Sequence, residues 1–231
     1  MTFGAPHRHF RITDSTNSRA RELIEAGAPG GTVVTADEQS AGRGRQGRIW
    51  TAPAGKALLY SAILRPLDER HLVLPLAVPL AVCEAAEELA PGIECQIKWP
   101  NDIWLEERKL AGVLIEAKPQ DGWAVIGVGL NLSIAKDEFP DELRWPATSL
   151  DAADPEQARH ALDAALDRWV EAPRDEVLAA WRSRDALRGR EISWDGGAGT
   201  ADGIDDSGDL LVALAGGDRA VLGAGEVSLR L

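Results

Sequence analysis

Three arginines and three glycines interleave in Gly42-Arg43-Gly44-Arg45-Gln46-Gly47-Arg48, with no acid among them. Glycines let successive backbone N–H groups converge on an anion, and guanidinium forks match the oxygens of a phosphate. In a chain of net charge −12 the stretch is a local trap for anions. Its spacing also satisfies G-x-G-x-x-G. A dinucleotide loop must open a helix at the third glycine, so that the helix N-terminus meets the pyrophosphate. Here Pro53 and Gly55 follow closely and disfavour a helix, so that reading is rejected. A solvated turn is the plainer alternative; the interleaving favours a phosphate loop.

Lys98-Trp99-Pro100-Asn101-Asp102 carries a second group of chemically useful side chains. Lys98 can neutralise a phosphate or a carboxylate. Asn101 and Asp102 can read a base edge, hold Mg²⁺ through water, or orient an amine. Pro-Asn-Asp is also turn chemistry, and alone the segment reads as a turn. Lys109 opens Lys109-Leu110-Ala111-Gly112, where Gly112 lets a ligand approach the backbone. Gly127-Val128-Gly129-Leu130-Asn131 sets two glycines and an amide on an apolar strand. That pattern suits a bulged strand, or clearance for a ligand with Asn131 as its polar anchor.

Other chemistries find no support. His7, His9, His71 and His160 are scattered, and there is no GxSxG, Walker lysine loop or CxxC. Asp202, Asp205, Asp206 and Asp209 miss EF-hand spacing and read as a hairpin turn. Cys83 and Cys95 suit a reduced, cytoplasmic chain.

The elements that must position these groups follow from periodicity. Asp14-Ser15-Thr16-Asn17 offers N-cap oxygens to a short helix carrying Ala20, Leu23 and Ile24. Strands are predicted at 32–36, 57–64, 94–99, 110–117 and 123–132. Residues 72–89 read as helical only in their second half, beyond Pro75 and Pro79. Residues 133–148 read as a long surface loop. Helices follow at about 155–171 and 174–184. Beyond Gly189, short strands alternate with Gly/Asp turns, at 191–194, 200–204, 210–214, 220–222 and 226–229, the pattern of a small antiparallel barrel. The expected division is 1–187, a catalytic domain, and 188–231, the barrel. Trp145, Trp169 and Trp181 are expected in the core.

Composition bounds the answer. The 231 residues are 45% hydrophobic and 27% charged, enough for a sizeable core. Lys and Arg total 25 against 37 Asp and Glu, a balance that repels phosphate backbones and argues against a nucleic-acid binder. No apolar run reaches the length of a membrane span, and the N-terminus carries no signal-peptide pattern.

Taken in order, Ser15-Thr16-Asn17, the arginine–glycine loop, KWPND at 98–102, KLAG at 109–112 and Gly127 to Asn131 resemble biotin protein ligases. The resemblance covers most of the chain. It implies an α/β (α+β) fold, a mixed-sheet catalytic domain followed by a small SH3-like β-barrel. It implies two half-reactions: biotin and ATP give biotinyl-5'-AMP and pyrophosphate, then a lysine of a biotin carboxyl carrier domain takes the biotin and AMP leaves. Mg²⁺ would accompany ATP, with its protein ligands unknown.

By the resemblance, Ser15, Thr16 and Gln39 lie at the biotin head group, with the backbone of Gly42, Arg43, Gly44 and Arg45 closing over it. Gly112 walls the valeryl chain. Arg45 and Arg48 meet phosphates, with Arg43 a further candidate. Lys109 bridges the biotin carboxylate and the α-phosphate as the leading catalytic residue, with Arg45 and Lys98 beside it. Trp50 stacks on adenine; Lys98, Asn101 and Asn131 add polar contacts. Asp102 is assigned to orient Mg²⁺ or the incoming lysine, and Arg230 to reach the site across the domain interface. The loops 42–48 and 133–148 are expected to order on ligand binding. The resemblance begins almost at Met1, so the ligase-only form is expected, without an N-terminal DNA-binding domain. A homodimer stays open. The rivals are a lipoate or octanoate ligase, a non-catalytic biotin- or nucleotide-binding module and, least of all, a nucleic-acid-binding module.

Overall fold

The computed structural model describes residues 2–143, 145–151, 154–223 and 227–229. Arg230 and Glu226 lie outside the described residues.

Seven strands form one mixed sheet: β1 (His7–Thr13), β2 (Val33–Gln39), β3 (Ala57–Leu64), β4 (Gln96–Lys98), β5 (Asp102–Leu105), β6 (Arg108–Lys118) and β7 (Trp123–Asn131). Their order is β1-β2-β3-β7-β6-β5-β4, with β1 parallel to β2 and every other pair antiparallel. Strands β3 and β7 are buried along their whole length, as their unbroken apolar runs require. Two strands are additions to the sequence-based reading. β1 is an exposed edge whose His and Arg residues hide any alternation. β5 is a four-residue strand that starts on a carboxylate, directly after a turn.

Helix α1 (Thr16–Glu25) packs on one face through Ala20 and Ile24 against Val34, Ile63, Trp123 and Val125. Helices α2 (Leu74–Leu89), α3 (Pro155–Val170) and α4 (Arg174–Ser183) cover the other. Asp154 caps α3 by accepting from the N–H groups of Glu156 and Gln157, with Pro155 in the first turn. Trp169 and Trp181 are in the core, as expected. The expected start of the second helix is corrected, because α2 begins at Leu74 and runs through Pro79. An interior proline costs about 3 kcal/mol. Burial of eleven residues on this helix, from Leu74 to Ala86, offsets it.

A second sheet, entirely antiparallel, holds β8 (Glu191–Trp194), β9 (Gly197–Ile204), β10 (Leu210–Ala213), β11 (Arg219–Leu222) and β12 (Ser228–Leu229), in the order β11-β10-β9-β8-β12. The expected small antiparallel unit is present as this five-stranded sheet, and no closed barrel forms among the described residues. β12 pairs with β8 through Ser228 and Leu229. The Trp99 indole N–H donates to the carbonyl of Gly208 at 3.1 Å, tying this sheet to the segment that follows β4.

Candidate active site

The glycine–arginine loop is a small hairpin. The Trp50 N–H donates to the Gly42 carbonyl at 3.0 Å and the Gly44 N–H to the Arg48 carbonyl at 2.8 Å. Arg43 and Ile49 face each other as an isolated antiparallel bridge. Gln46 sits at the tip with φ 55°, in the left-handed region, followed by Gly47 at φ 73°. The hairpin lies across a cavity of about 110 Å³ on the α1 face of the large sheet.

One end of the cavity is polar and neutral. Ser15, Thr16 and Asn17 sit buried at the start of α1. The Thr16 backbone N–H donates to Gln39 Oε1 at 2.7 Å, and the Thr16 hydroxyl donates to the same oxygen at 3.2 Å. From β3 the Ser61 hydroxyl lies 2.7 Å from Thr16 Oγ1 and 2.6 Å from Asn17 Oδ1. Such an array of hydroxyl and amide groups suits a neutral ligand with both donors and acceptors.

The middle is narrow and aromatic. The Trp50 ring lies over Gly112 of β6 and Gly129 of β7. A Cβ at Gly129 would collide with the ring, and one at Gly112 would stand 3.1 Å from it. These glycines are clearance for an aromatic side chain of this chain itself.

The other end is cationic. Lys109 Nζ stands 2.6 Å from Asp102 Oδ1 and 5.5 Å from the centre of the Trp50 ring. Burial holds the Arg45 guanidinium below its ordinary pKa, and the Asp102 carboxylate partly offsets this. Lys98 is 4% exposed, with its ammonium 5.0 Å from the Trp145 ring centre and 5.8 Å from that of Trp104. The two indoles meet edge to face at 5.5 Å. The core position expected for Trp145 is therefore corrected. It is half-buried on the loop after β7 and lines the cavity.

Most residues singled out in the sequence gather here. Ser15, Thr16, Gln39, Arg43, Gly44, Arg45, Arg48, Trp50, Lys98, Asn101, Asp102, Lys109 and Gly112 all line the cavity. Gly42 and Asn131 stand behind it. The Gly42 carbonyl closes the base of the hairpin, and Asn131 Nδ2 donates to the carbonyls of Thr148 at 2.9 Å and Lys109 at 3.5 Å. Asn101 Nδ2 donates to the Val113 carbonyl at 2.8 Å, so part of its polar capacity braces the turn before β5. Among the described residues no three His, Cys, Asp or Glu side chains form a metal-binding group.

Among the lining residues that escaped the sequence analysis as site residues are Asn17, Tyr60, Leu114 and Trp145. Behind Asn17 stands Glu116. Its only sequence signal is an acid in register with Gly112 and Leu114, on one face of an apolar strand. Nothing in the sequence around Trp145 distinguishes it.

A mixed sheet with a cavity that is polar and neutral at one end and cationic at the other suits a small organic acid held beside a phosphate. The chain belongs to the Biotin/lipoate A/B protein ligase family, whose model matches residues 9–132. It is 40% identical over 155 residues to the bifunctional ligase/repressor BirA of Bacillus spizizenii, a match covering 65% of this chain and 47% of that protein. The chain thus spans about half the length of that relative. It is 35% identical to the biotin–[acetyl-CoA-carboxylase] ligase of Mycobacterium tuberculosis, over 97% of this chain and 90% of that one. The fold matches the Aquifex aeolicus biotin protein ligase solved with biotin and ATP, with a TM-score of 0.80, 30% identity, and coverage of 98% and 99% of the two chains.

Proposed function

We propose that the chain is a biotin protein ligase that activates biotin with ATP and passes it to a lysine of a biotin carboxyl carrier domain. The observation that carries this is the single cavity in which Thr16 and Gln39 face one end and Lys109 and Arg45 the other. The distribution fits a ligand with a neutral ureido ring and an anionic tail. Burying each CH₂ of the valeryl chain against β6 near Gly112 contributes about 0.8 kcal/mol, and the Trp50 ring stacks on adenine.

In the first half-reaction a carboxylate oxygen attacks the α-phosphorus and pyrophosphate leaves. Two anions must approach, so the chemistry is chiefly charge compensation. Lys109 bridges the carboxylate and the α-phosphate, while Arg45 and Arg48 take phosphate oxygens. For the second half-reaction, a neutral carrier lysine attacks the acyl carbon and AMP leaves. Asp102, beside Lys109, orients the incoming amine. Mg²⁺ brought by ATP would neutralise phosphate charge; phosphate oxygens and at most the Asp102 carboxylate would hold it, in keeping with the one or two carboxylates that Mg²⁺ sites use. Residues 1–187 form the reacting domain and 188–231 a buttress behind Trp99. Among the described residues no helix is long and apolar enough to cross a membrane. Two free, buried cysteines fit a cytoplasmic setting.

The test is ATP–pyrophosphate exchange with Mg²⁺ and a panel of biotin, lipoate and octanoate. Exchange driven by biotin alone supports the proposal. If lipoate or octanoate drives it instead, the fold stands and the substrate changes. No exchange with any of the three overturns an activating role and leaves a binding module.

A further inference from the structure

Arg43, the first arginine of the hairpin, is turned toward the protein. Its guanidinium donates to both oxygens of Glu116, at 3.4 Å and 3.3 Å, and to the Ser18 hydroxyl at 3.2 Å. Glu116 sits near the end of β6, with its side chain 25% exposed. It also accepts from Asn17 Nδ2 at 2.8 Å, and the Arg21 guanidinium lies 3.5 Å away. One carboxylate thus gathers groups from α1 and from the hairpin, over the neutral end of the cavity. On the hairpin's other flank Arg45 lines the same cavity as Asp102 of β5.

We propose that Glu116 is a positioning residue that clasps the glycine–arginine hairpin to α1 through Arg43 and thereby sets the affinity for the acid substrate. The hairpin is rich in glycine, so its closed shape is costly in backbone entropy. A charge-assisted contact at Arg43 holds the Gly42–Gly44 side in place. The same carboxylate orients Asn17, whose Oδ1 is shared with Ser61 beside Thr16. Closure of the lid and arrangement of the polar pocket are therefore coupled through one side chain. Contacts of this kind serve ground state and transition state alike, so their loss appears in KM and leaves kcat in place.

The inference rests on the proposed biotin reading for its substrate, and the first arm of its test does not. Hydrogen exchange is measured on ligand-free wild type, Glu116→Gln and Arg43→Ala. Gln keeps an oxygen for Asn17 and loses the charge that Arg43 needs. Both variants should exchange residues 42–50 at least about tenfold faster, with other segments unchanged. In biotin-driven pyrophosphate exchange, both should raise the KM for biotin by about tenfold, and Glu116→Gln, which removes no cavity-lining residue, should leave kcat within about twofold. The double variant should be no worse than either single, because both remove one interaction. The swap Arg43→Glu/Glu116→Arg should recover part of the KM. Wild-type hairpin exchange in either variant overturns the clasp. So does a wild-type KM in Arg43→Ala, which decides the matter even where Glu116→Gln folds poorly. A wild type indifferent to biotin would instead refute the substrate reading, with the exchange of residues 42–50 still deciding the clasp.

Discussion

The Lys109 ammonium and the Asp102 carboxylate meet at 2.6 Å because a bulge lies between them. Asp102 pairs with Gly112 and Ile103 with Ala111, but Trp104 pairs with Lys109, so Leu110 is skipped. The extra residue reverses the alternation of side chains and turns Lys109 onto the face that carries Gly112. Strict alternation would have pointed the lysine away from the cavity. The pair with Asp102 holds the lysine on the cavity side of the sheet.

Lys109→Ala should lower adenylation by roughly 10²–10³-fold, the scale for removing one preorganised charge from a reacting centre. Single-turnover formation of the acyl-adenylate is the measurement. A near-native rate would remove Lys109 from the chemistry.

Asp102→Asn separates two roles. Rates of adenylation and of transfer to a carrier lysine are measured independently, and at least one should fall by about tenfold or more. Transfer alone falling points to orientation of the amine. Native rates in both would leave Asp102 as a structural partner of Lys109 only.

Gly129→Ala should force the Trp50 ring out of place, whereas Gly112→Ala needs a shift of only a few tenths of an ångström. Overpacking of this kind costs about 1–3 kcal/mol. The KM for ATP should therefore rise more in Gly129→Ala than in Gly112→Ala. Equal values would mean that the ring is not part of the nucleotide site.

At the β5–β6 turn, Glu106 and Glu107 both hold positive φ, 49° and 61°, a conformation that favours Asn-Gly. Replacing the pair by Asn-Gly gives up the Glu106–Arg108 and Glu107–Arg190 contacts, in which both glutamates are well exposed. Such exposed pairs contribute little. A net gain of about 0.5 kcal/mol, or 1–2 °C in Tm, is expected. An unchanged or lower Tm in thermal unfolding would contradict it.

Glu156 gives a pH signature. Its hydrogen bonds from Arg159, the largest influence, hold the carboxyl at about 2, below its ordinary value of 4.5. A depressed carboxylate contributes stability above its unfolded pKa and loses it as pH falls toward the folded one. Glu156→Gln should thus lower Tm near neutrality, and the gap from wild type should close between about pH 4.5 and 2. A gap independent of pH would assign the effect to packing.

Sequence alone fixed the chemistry that had to be housed. Interleaved glycine and arginine, two lysines near strand ends, and hydroxyl and amide groups before a short helix specify an anion site beside a neutral one. Local pattern also marked β3 and β7, since a long apolar run buried on both faces has few other solutions. Tertiary structure decided the rest. An edge strand carries no alternation to read, so β1 was invisible. Pro79 obeys the burial of its helix over its own local preference. The direction of Lys109 depends on a bulge that exists only once β5 pairs with β6. The ties from Glu116 to Asn17 and Arg43 join residues 99 and 73 positions apart. Side-chain identity is local and survives in the sequence; side-chain direction and long-range pairing arise only when the strands take their register.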